Sequence, residues 1–380
     1  MAEPDLLVVG GGLAGSALAI RMASAGERVL LLERERGPHD KVCGEFLSRE
    51  ALLHLRELGL DPRHLGGVPI DRVSLVSGRR RAEAALPFRG VGLSRRVLDA
   101  AMLDRARAAG AHVRQGARVA ALVEAPDGVI ARLSDGDTVR AERAALATGK
   151  HDLRGHRRPA GWQNDLVGFK LHLRLAPDAS RRLRGTVALV LFPGGYVGLQ
   201  PVEDGLATLC LVMRRRRLGR RGTPVAAIRT LCGEQPFLAD MLDGATALRE
   251  APLSVANIPY GLVPSAGEQG ARIWRLGDQA AVIPSFTGDG MSIALHSAAL
   301  AAAMMGAADT PATFTGALRR DVAARVRGAT LLSLLAVRGP LQSPIVAAAA
   351  AVPALIGPIA RATRIPDRAL RRVLPLHPAG

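Results

Sequence analysis

Cysteine, aromatic residues and lysine are all scarce in this chain of 380 residues. Three cysteines, Cys43, Cys210 and Cys232, are too few and too scattered for a disulfide framework or a zinc site, and they favour a reducing, cytoplasmic setting. Only 3% of the residues are aromatic, and the arginine runs at 79–81 and 214–217 are not interleaved with them. Because no helix-turn-helix, zinc-finger or RNA-binding signature is present either, we expect no nucleic-acid partner and no bound metal.

The positive charge of the chain is carried almost entirely by arginine. The formal net charge is +17, and of the 51 basic residues only Lys41, Lys150 and Lys170 are lysines. This excess reflects a compositional bias as much as a selected surface, although a basic surface still favours an anionic membrane or an acidic partner. Hydrophobic residues make up 48% of the chain, which excludes a disordered protein. The acidic start of the chain predicts no signal peptide.

The N-terminal segment carries a complete dinucleotide-binding pattern. An apolar run at 5–9 is followed by Gly10, Gly12 and Gly15 in the spacing G-x-G-x-x-G, then by a small-residue helix and a second apolar run that ends on Glu33. Gly10 allows a sharp turn, Gly12 lets the backbone approach a pyrophosphate, and Gly15 allows the helix to pack closely on the sheet. The free N–H groups at the helix start favour phosphates, and Glu33 is placed to accept hydrogen bonds from a ribose diol.

A second strand, glycine turn and helix start are predicted near residue 280. A strand at 272–276 runs into Gly277 and Asp278, and Gly288 and Gly290 precede a predicted helix. Asp278 can accept hydrogen bonds from ribityl hydroxyls, and the glycines allow close approach of a flat ring. The amides at the helix start can support negative charge at the N1–C2=O edge of a reduced flavin.

Between these two motifs the chain leaves and re-enters the dinucleotide module. A three-stranded meander is predicted at 119–141, an insertion that is typical of flavin adenine dinucleotide (FAD) domains and unusual in nicotinamide domains. The alternation of apolar and polar residues at 68–88 and the strand-like runs at 166–213 predict the antiparallel sheet of a substrate domain. Residues 224–242 are predicted to be helical.

The C-terminal seventy residues are predicted to be helical and apolar. Residues 339–360 carry no charge and lie between Arg338 and Arg361, so a membrane span must be considered. The segment contains prolines that would break a spanning helix: Pro340, Pro344, Pro353 and Pro358. The pattern favours helices that pack on the protein body. Two alternatives stay open: a surface that contacts a membrane or a hydrophobic substrate, and a membrane-spanning segment.

These motifs together resemble the FAD-dependent flavoprotein monooxygenase superfamily, which has the p-hydroxybenzoate hydroxylase fold. Within it, Lys41-Val-Cys-Gly-Glu45 and Gly195-Tyr-Val-Gly-Leu-Gln-Pro201 resemble the geranylgeranyl reductase branch. That branch carries a Cys-Gly pair in the loop after the second strand and a G-Y-x-W-x-F-P motif on the substrate sheet. The resemblance covers about the first 300 residues.

The chain departs from this resemblance at three places. Gly198 stands where the branch has tryptophan, and Gln200 stands where it has phenylalanine. The superfamily's middle Asp-Gly motif, which is associated with flavin and NAD(P)H handling, is replaced by residues 147–151. The tryptophan-rich signature of flavin halogenases is absent, since Trp162 and Trp274 are isolated and are expected to lie in the core.

The expected fold is α/β with an α+β substrate domain: a Rossmann-like FAD-binding domain, an inserted antiparallel-sheet substrate domain and a helical C-terminus. The predicted boundaries are 1–67, 91–154 and 266–305 for the FAD-binding domain, 68–90 and 155–265 for the substrate domain, and 306–380 for the C-terminal region. The residues predicted to hold FAD are Gly10, Gly12, Leu13, Ala14, Gly15, Glu33, Arg34, Lys41, Cys43, Gly44, Arg95, Gly277, Asp278, Gly288, Gly290 and Met291.

A dry, apolar pocket over the flavin is expected to bind the substrate. Its predicted walls are Phe169, Leu171, Phe192, Tyr196, Leu199 and Phe286. Cys43 is a candidate redox or proton-relay residue, with a small buried contact as the alternative, and Tyr196 is a candidate hydrogen-bond donor, with packing as the alternative. Lys41 and Glu45 are candidate flavin or substrate contacts. His172 and His296 are interpreted as core or surface residues.

Four functions are considered. Monooxygenation of a hydrophobic aromatic or polyene substrate through a flavin C4a-hydroperoxide is placed narrowly ahead of reduction of carbon–carbon double bonds by flavin N5 hydride, because two pocket aromatics are replaced. A non-catalytic, membrane-associated flavin protein and an NAD-dependent dehydrogenase are the remaining hypotheses. The expected electron donor is NAD(P)H or a protein reductant. We expect a cytoplasmic monomer or dimer that binds a small hydrophobic substrate, with peripheral membrane contact left open.

Overall fold

The computed structural model describes residues 3–219, 222–265 and 270–375. Its strands are β1 Leu6–Val9, β2 Val29–Glu33, β3 Phe46–Leu47, β4 Val68–Ser77, β5 Arg80–Gly92, β6 His112–Gln115, β7 Val119–Ala125, β8 Gly128–Leu133, β9 Thr138–Ala141, β10 Arg143–Leu146, β11 Leu166–Arg174, β12 Thr186–Phe192, β13 Gly195–Pro201, β14 Ala207–Arg214, β15 Thr246–Ala247, β16 Leu253–Ala256 and β17 Ile273–Arg275.

The helices complete the chain. They are α1 Leu13–Ser24, α2 Arg49–Glu57, α3 Arg95–Ala108, α4 Pro177–Leu183, α5 Arg215–Leu218, α6 Pro224–Glu234, α7 Pro236–Leu242, α8 Gly290–Gly306, α9 Pro311–Ala336, α10 Gly339–Ala351, α11 Ile356–Ala362 and α12 Asp367–Leu370. Residues 266–269, at one expected domain boundary, and 376–380, at the end of the expected C-terminal region, lie outside the described residues.

The dinucleotide module is a five-stranded parallel sheet in the order β17-β10-β1-β2-β6. Alternate residues of the central strand face opposite layers, as the period of a strand requires. Leu6 and Val8 pack with the helices α1, α3 and α8, whereas Leu7 and Val9 pack under the three-stranded sheet β7-β8-β9. The predicted meander at 119–141 is confirmed.

The substrate module is built on a nine-stranded sheet. Its order is β15-β11-β14-β13-β12-β4-β5-β3, and β16 pairs with β11 beside β15, on the side away from β14. One face of the sheet is covered by α4, α6 and α7. The predicted helix at 224–242 is two helices in the structure, and the break falls at Gln235 because the following Pro236 disfavours a helical conformation at the residue before it.

The C-terminal region is helical, as expected, and α10 and α11 pack against β5. Among the described residues, no single helix is both long and apolar enough to cross a membrane. The pair α9 and α10 reaches that length and hydropathy only when taken together, and the two helices meet at an angle of 109°.

Candidate active site

The site is one cleft of about 910 Å³ at the carboxyl ends of the parallel strands. Gly10 follows β1, Glu33 ends β2, Ala147 follows β10 and Gly277 lies just beyond β17, and all four line the cleft. Open α/β sheets bind their ligands at this edge because the strand ends leave a crevice there. Of the residues predicted to hold FAD, all but Gly15 line this single cleft.

The glycine turn has the geometry that the sequence predicts. Gly10 has φ +109°, and a side chain there would collide with the carbonyl group of Ala147. Gly15 packs directly against the carbonyl oxygen of Gly10, which leaves no room for a Cβ atom between helix and strand. By contrast, a Cβ atom at Gly12 would meet only the ends of two cationic side chains. Gly10 and Gly15 therefore shape the turn, and Gly12 leaves its backbone open to a ligand.

Glu33 ties the end of β2 to this turn. Its Oε2 accepts a hydrogen bond from the Gly11 amide at 2.7 Å, and its Oε1 accepts one from the Glu35 amide at 3.0 Å. The carboxylate is buried but lines the cleft. It is therefore held at the edge of the glycine turn, where it can accept hydrogen bonds from hydroxyl groups of a bound nucleotide.

Two cations share one carboxylate beside Gly12. Lys41 Nζ lies 2.7 Å from Asp99 Oδ2, and Arg95 donates to both oxygens of Asp99, at 2.8 and 2.9 Å. Lys41 Nζ and Arg95 Nη2 both lie 3.5 Å from the position that a Gly12 Cβ atom would occupy. Burial alone would lower the pKa of Arg95, but the charge of Asp99 outweighs it and raises that pKa. Lys41 and Arg95 carry two positive charges and Asp99 carries one negative charge, so this part of the cleft has an excess positive charge that can bind an anionic ligand.

The start of α1 adds N–H donors to these cations. Gly12 caps the helix, and Leu13 and Ala14 in its first turn line the cleft. The amides of a first helical turn have no acceptor within the helix, and they point their positive end at the ligand. The open backbone at Gly12, the shared cations and these amides fit the pyrophosphate of FAD.

A second helix start, that of α8, also lines the cleft. Gly290 and Met291, in the first turn of α8, line the cleft together with Gly288, which has φ +72°. Asp289 caps this helix without a side-chain hydrogen bond to it, and instead accepts from Arg364 Nη1 at 2.7 Å. Burial raises the pKa of Asp289 to about 7, although Arg364 acts to lower it. The free amides of α8 fit the N1–C2=O edge of a flavin ring.

The turn between β17 and α8 is tied to the segment that replaces the middle Asp-Gly motif. The guanidinium of Arg158 donates to the carbonyl oxygens of Asp278, at 3.2 Å, and Lys150, at 2.8 Å. Gln279 donates to the carbonyl oxygens of Gly149 and His151. Asp278 itself lines the cleft. The replaced motif therefore supports the position of the Gly277-Asp278 turn.

The loop at 41–45 is held by all three lysines of the chain. Lys41 lies within it, Lys150 Nζ donates to the carbonyl oxygen of Val42 at 2.5 Å, and Lys170 Nζ pairs with Glu45 Oε1. Cys43 and Gly44 lie between these contacts and line the cleft. Arginine outnumbers lysine by 48 to three among the 51 basic residues, so the convergence of every lysine on one loop is a strong structural signal.

Glu45 is the buried centre of this loop. Its backbone has φ 60°, a left-handed conformation that non-glycine residues rarely adopt. Its Oε2 lies 2.7 Å from His172 Nε2, and its Oε1 accepts from Lys170 and from the Arg95 amide at 2.8 Å. Burial alone would raise the pKa of Glu45, but the hydrogen bond from His172 and the charge of Lys170 outweigh it and hold that pKa below its ordinary value. The ion cluster therefore fixes a strained backbone next to Cys43.

Cys43 stays a prediction as a catalytic residue. Its Sγ accepts a hydrogen bond from the Glu45 amide at 3.3 Å, and the thiol lies beside Arg95. The three cysteines are all free thiols. Burial raises the pKa of Cys210 to about 11, which makes that thiol unreactive.

Three hydroxyl groups meet at the wall of the cleft. Ser285 Oγ lies 2.6 Å from Tyr260 Oη and 2.7 Å from Tyr196 Oη, and the two phenol oxygens are 3.4 Å apart. Ser285 and Tyr260 line the cleft, and Tyr196 lies behind them. Burial raises the pKa of both phenols, so both are protonated at neutral pH. The chain has only two tyrosines, and both belong to this cluster.

The predicted substrate pocket was wrong for most of its residues. Phe169, Leu171, Phe192 and Leu199 lie in the core between the nine-stranded sheet and α4, α6 and α7, on the face turned away from the cleft. Strand alternation is the reason, since β11 turns Lys170 toward Glu45 and its apolar neighbours the other way.

Tyr196 and Phe286 come closer to the cleft without lining it. They pack edge to face, with their ring centroids 5.9 Å apart, behind Ser285. His172, interpreted as a core or surface residue, is buried and holds Glu45. His296 is buried and pairs with Asp321 away from the cleft. Trp274 lies in the core as expected, whereas Trp162 is exposed, which contradicts the expectation.

Sequence reasoning missed Lys150, Tyr260 and Ser285 as residues of the cleft. The signal that could have found the first two is rarity, because each is one of very few lysines or tyrosines in an arginine- and alanine-rich chain. Ser285 carries no such signal, and its role is visible only in the fold.

Comparison with known proteins agrees with this geometry. The family model described as an FAD binding domain matches residues 3–152. Digeranylgeranylglycerophospholipid reductase 2 of Methanopyrus kandleri is 30% identical over 322 residues, which cover 77% of this chain and 74% of that protein. Menaquinone reductase of Mycobacterium tuberculosis is 28% identical over 328 residues, which cover 80% of this chain and 77% of that protein. The structure of the flavin-dependent brominase Bmp2 has a TM-score of 0.77 at 19% identity and covers 95% of this chain and 93% of that one, which shows the shared fold.

The fold and the cleft define an enzyme, an FAD-dependent oxidoreductase. The chain belongs to the p-hydroxybenzoate hydroxylase-like superfamily, in its geranylgeranyl reductase-like branch. FAD is therefore the cofactor, which overturns the hypothesis of an NAD-dependent dehydrogenase, and the reductase relatives argue against a non-catalytic flavin protein.

Proposed function

We propose that this enzyme reduces carbon–carbon double bonds in the polyprenyl chain of a lipid. The observation that carries the proposal is its similarity, over about three quarters of both chains, to a digeranylgeranylglycerophospholipid reductase and a menaquinone reductase. Both names denote substrates with polyprenyl chains. Monooxygenation, which was narrowly preferred on the sequence, is not the activity that either of these two relatives is named for.

The cleft offers what such a substrate needs. Its wall near the hydroxyl cluster includes apolar side chains: Leu253, Val255, Val282 and Ile283. An apolar wall binds a hydrocarbon chain and keeps water away from the reacting carbons. Gly198, on the same side of β13 as Tyr196, has room for at least a methyl group, because a Cβ atom there would meet no atom closer than 3.9 Å. This space lies where the branch has a tryptophan, which supports a difference in the substrate and not the loss of a pocket.

Reduction of an isolated double bond needs two electrons and two protons. When bound and reduced, FAD supplies the electron pair with one proton, and the protein must deliver the second proton to the other carbon. Tyr260 Oη is the group we assign to this step, since it lines the cleft and is protonated at neutral pH. The carbon–carbon π bond breaks, a carbon–hydrogen bond forms to the Tyr260 proton, and the electron pair of the O–H bond stays on the phenolate.

Ser285 and Tyr196 can return the proton to Tyr260. The Ser285 hydroxyl donates to the Tyr260 phenolate across 2.6 Å and accepts from Tyr196 across 2.7 Å. This arrangement spreads the negative charge over three oxygens while the donor is being reloaded from solvent. Lys150 acts to lower the pKa of Tyr260, so its charge also stabilises the phenolate.

The test is a single-turnover reaction without a biological electron donor. The FAD-loaded protein is reduced with dithionite under anaerobic conditions, and digeranylgeranylglycerophospholipid or menaquinone is added. Mass spectrometry then measures whether the lipid gains H₂, and fragmentation shows whether the gain lies in the polyprenyl chain or in the quinone ring. Free FAD reduced in the same way is the matched control for reduction without the protein.

We expect a gain of H₂ in the polyprenyl chain together with reoxidation of the bound flavin before air is admitted. Reoxidation only after air, with oxygen found in the lipid, would establish monooxygenation instead. A gain confined to the quinone ring would limit the enzyme to quinone reduction and would refute the proposal. Repeating the reduction with NADPH and NADH identifies the electron donor.

A further inference from the structure

A long stretch near the C-terminus has no acidic side chain. Between Asp321 and Asp367 every charged residue is an arginine, and residues 339–360 have no charge at all. This stretch contains most of α9 and all of α10 and α11. Its charge is therefore entirely positive, at the edges of an uncharged centre.

The uncharged centre exposes large apolar side chains instead of burying them. Leu355 is 50% exposed and Ile359 is 49% exposed, and three more belong to the same patch: Leu341, Ile345 and Val352. A helix that faces water normally turns a polar side outward. Exposed large apolar side chains of this number, with Ser343 as the one exposed polar residue within 339–360, mark an interaction surface. We name these five side chains the α10–α11 face.

The α10–α11 face is shaped to lie on a bilayer and not to cross one. α10 has 13 residues, about 20 Å of helix, and Pro344 lies inside it. A spanning helix needs about 30 Å. The angle of 109° between α9 and α10 turns the chain back toward the protein body.

Charge selects the partner of this face. Arg338 and Arg361 are exposed at its two ends, and Arg327 is exposed one helix earlier. A second copy of the chain would bring arginines against arginines, whereas anionic lipid headgroups would neutralise them. The apolar centre and cationic rim match the layers of an anionic bilayer, in which headgroups surround hydrocarbon.

The inner side of the same helices packs against a residue of the cleft wall. Val346, Ala349 and Ile356 pack in one apolar cluster with Tyr196 and Tyr260, of which Tyr260 lines the cleft. We propose that the α10–α11 face docks the enzyme on the surface of an anionic lipid bilayer. If the proposed function holds, this places the bilayer next to the apolar cluster that adjoins the proton donor.

The test compares two double variants, each of which places two aspartates at exposed apolar positions, on different parts of the surface. Leu355→Asp/Ile359→Asp disrupts the α10–α11 face. Val123→Asp/Val225→Asp makes the same change of charge at two other exposed apolar side chains, 47% and 43% exposed. Each FAD-loaded protein is sedimented with vesicles of phosphatidylcholine alone or mixed with phosphatidylglycerol. A retained flavin absorption band shows that each variant folds.

We expect the wild type and the control variant to bind the phosphatidylglycerol vesicles, and the α10–α11 variant to bind at least about tenfold more weakly, because two large apolar side chains no longer enter the bilayer. Equal binding by both variants, no binding by the wild type, or no preference for anionic vesicles would refute the proposal. So would a dimer in sedimentation velocity without lipid that only the α10–α11 variant disrupts. None of these measurements depends on turnover, so docking and the proposed reaction can fail separately.

Discussion

The two faces of the nine-stranded sheet differ in chemistry along β11, β13 and β14, because among these strands the buried polar side chains lie on the face toward the cleft. The face under α4, α6 and α7 is an apolar core to which β11, β13 and β14 contribute only hydrophobic side chains. The face toward the cleft carries Lys170, His172, Thr208 and Gln200, and Gly198 leaves space among them. His172 and Gln200 both stand opposite Thr208 in the strand register, so the polar residues form a row across β11, β14 and β13.

This contrast separates stability from function along single strands. The helix-covered face is closed and dry, as expected for a core. The cleft face holds a buried ion cluster and two buried polar atoms, Gln200 Nε2 and Thr208 Oγ1, that have no hydrogen-bond partner within the described part of the chain. Buried polar atoms without partners cost stability, and the side chains that β11, β13 and β14 turn toward the helices include no such atom.

Removing one hydroxyl group on the cleft side should have the largest effect on the reaction. In Tyr260→Phe we expect single-turnover reduction to slow by about 10² to 10⁴-fold, the usual contribution of a general acid. FAD affinity and unfolding free energy should change little, because the ring stays in place. Phe192→Leu, on the opposite face, is the control and should lower stability without slowing the reaction of the folded protein. Equal rates for Tyr260→Phe and wild type would remove Tyr260 from the mechanism.

Substitution of neighbouring residues on β11 should test the two faces directly. Lys170→Met leaves the buried carboxylate of Glu45 without its cation, and we expect a loss of about 3–5 kcal/mol in unfolding free energy. Leu171→Ala creates a cavity in the apolar core and should cost about 2–5 kcal/mol. Urea unfolding measures both losses.

FAD affinity then distinguishes the two variants. Lys170→Met should weaken FAD binding because the loop at 41–45 loses a tie, whereas Leu171→Ala should leave it unchanged in the folded protein. The double variant Lys170→Met/Glu45→Gln should recover part of the stability, since no unpaired charge remains. If Leu171→Ala weakened FAD binding equally, the two faces would not be functionally distinct.

The ion cluster should also make stability depend on acid. The pKa of Glu45 in the folded protein lies below its ordinary value of 4.5, so the cluster's contribution is present above pH 4.5 and is lost as the pH falls further. Each unit of this pKa difference corresponds to about 1.4 kcal/mol. Glu45→Gln should therefore be less stable than wild type at pH 7, and the difference should shrink below pH 4.5. Glu83→Gln, at an exposed glutamate, is the control and should follow the wild-type curve.

The dinucleotide motifs could be predicted from the sequence because they are local. Gly10 and Gly288 need positive φ, and a helix start must follow each glycine turn within a few residues, so spacing alone identifies them. The substrate pocket could not be predicted in the same way. Alternation shows that Phe169 and Leu171 share a face, but not which face meets the cleft. Large apolar residues are typical of a core as well as of a pocket, and those predicted to line the pocket lie mostly in the core.

The residues that surround Glu45 were out of reach for a different reason. Lys150 and Lys170 lie more than 100 residues from the loop at 41–45 that they hold, and no local pattern joins them to it. Their rarity was the one available signal. The bias of the composition toward arginine makes the three lysines rare, but it does not indicate which loop they hold.

The smallest effect should come from adding one methyl group on each face of β13. At Gly195, which faces the helix-covered core, a Cβ atom would collide with the carbonyl oxygen of Val212, and Gly195→Ala should cost about 1–3 kcal/mol. At Gly198, on the cleft face, a Cβ atom would meet nothing closer than 3.9 Å. Gly198→Ala should therefore stabilise the protein by about 0.5–1 kcal/mol, because alanine loses less backbone entropy on folding than glycine.

Urea unfolding of the FAD-loaded proteins measures the change in unfolding free energy for each variant. Opposite signs would show that the cleft face has space that the core face lacks, three residues away on the same strand. If Gly198→Ala were as destabilising as Gly195→Ala, the cleft face would be packed as tightly as the core. If Gly198→Ala stabilised the protein and also weakened binding of the polyprenyl lipid, the substrate chain would lie next to Gly198. The added methyl group would then fit the protein without lipid but occupy space that the lipid needs.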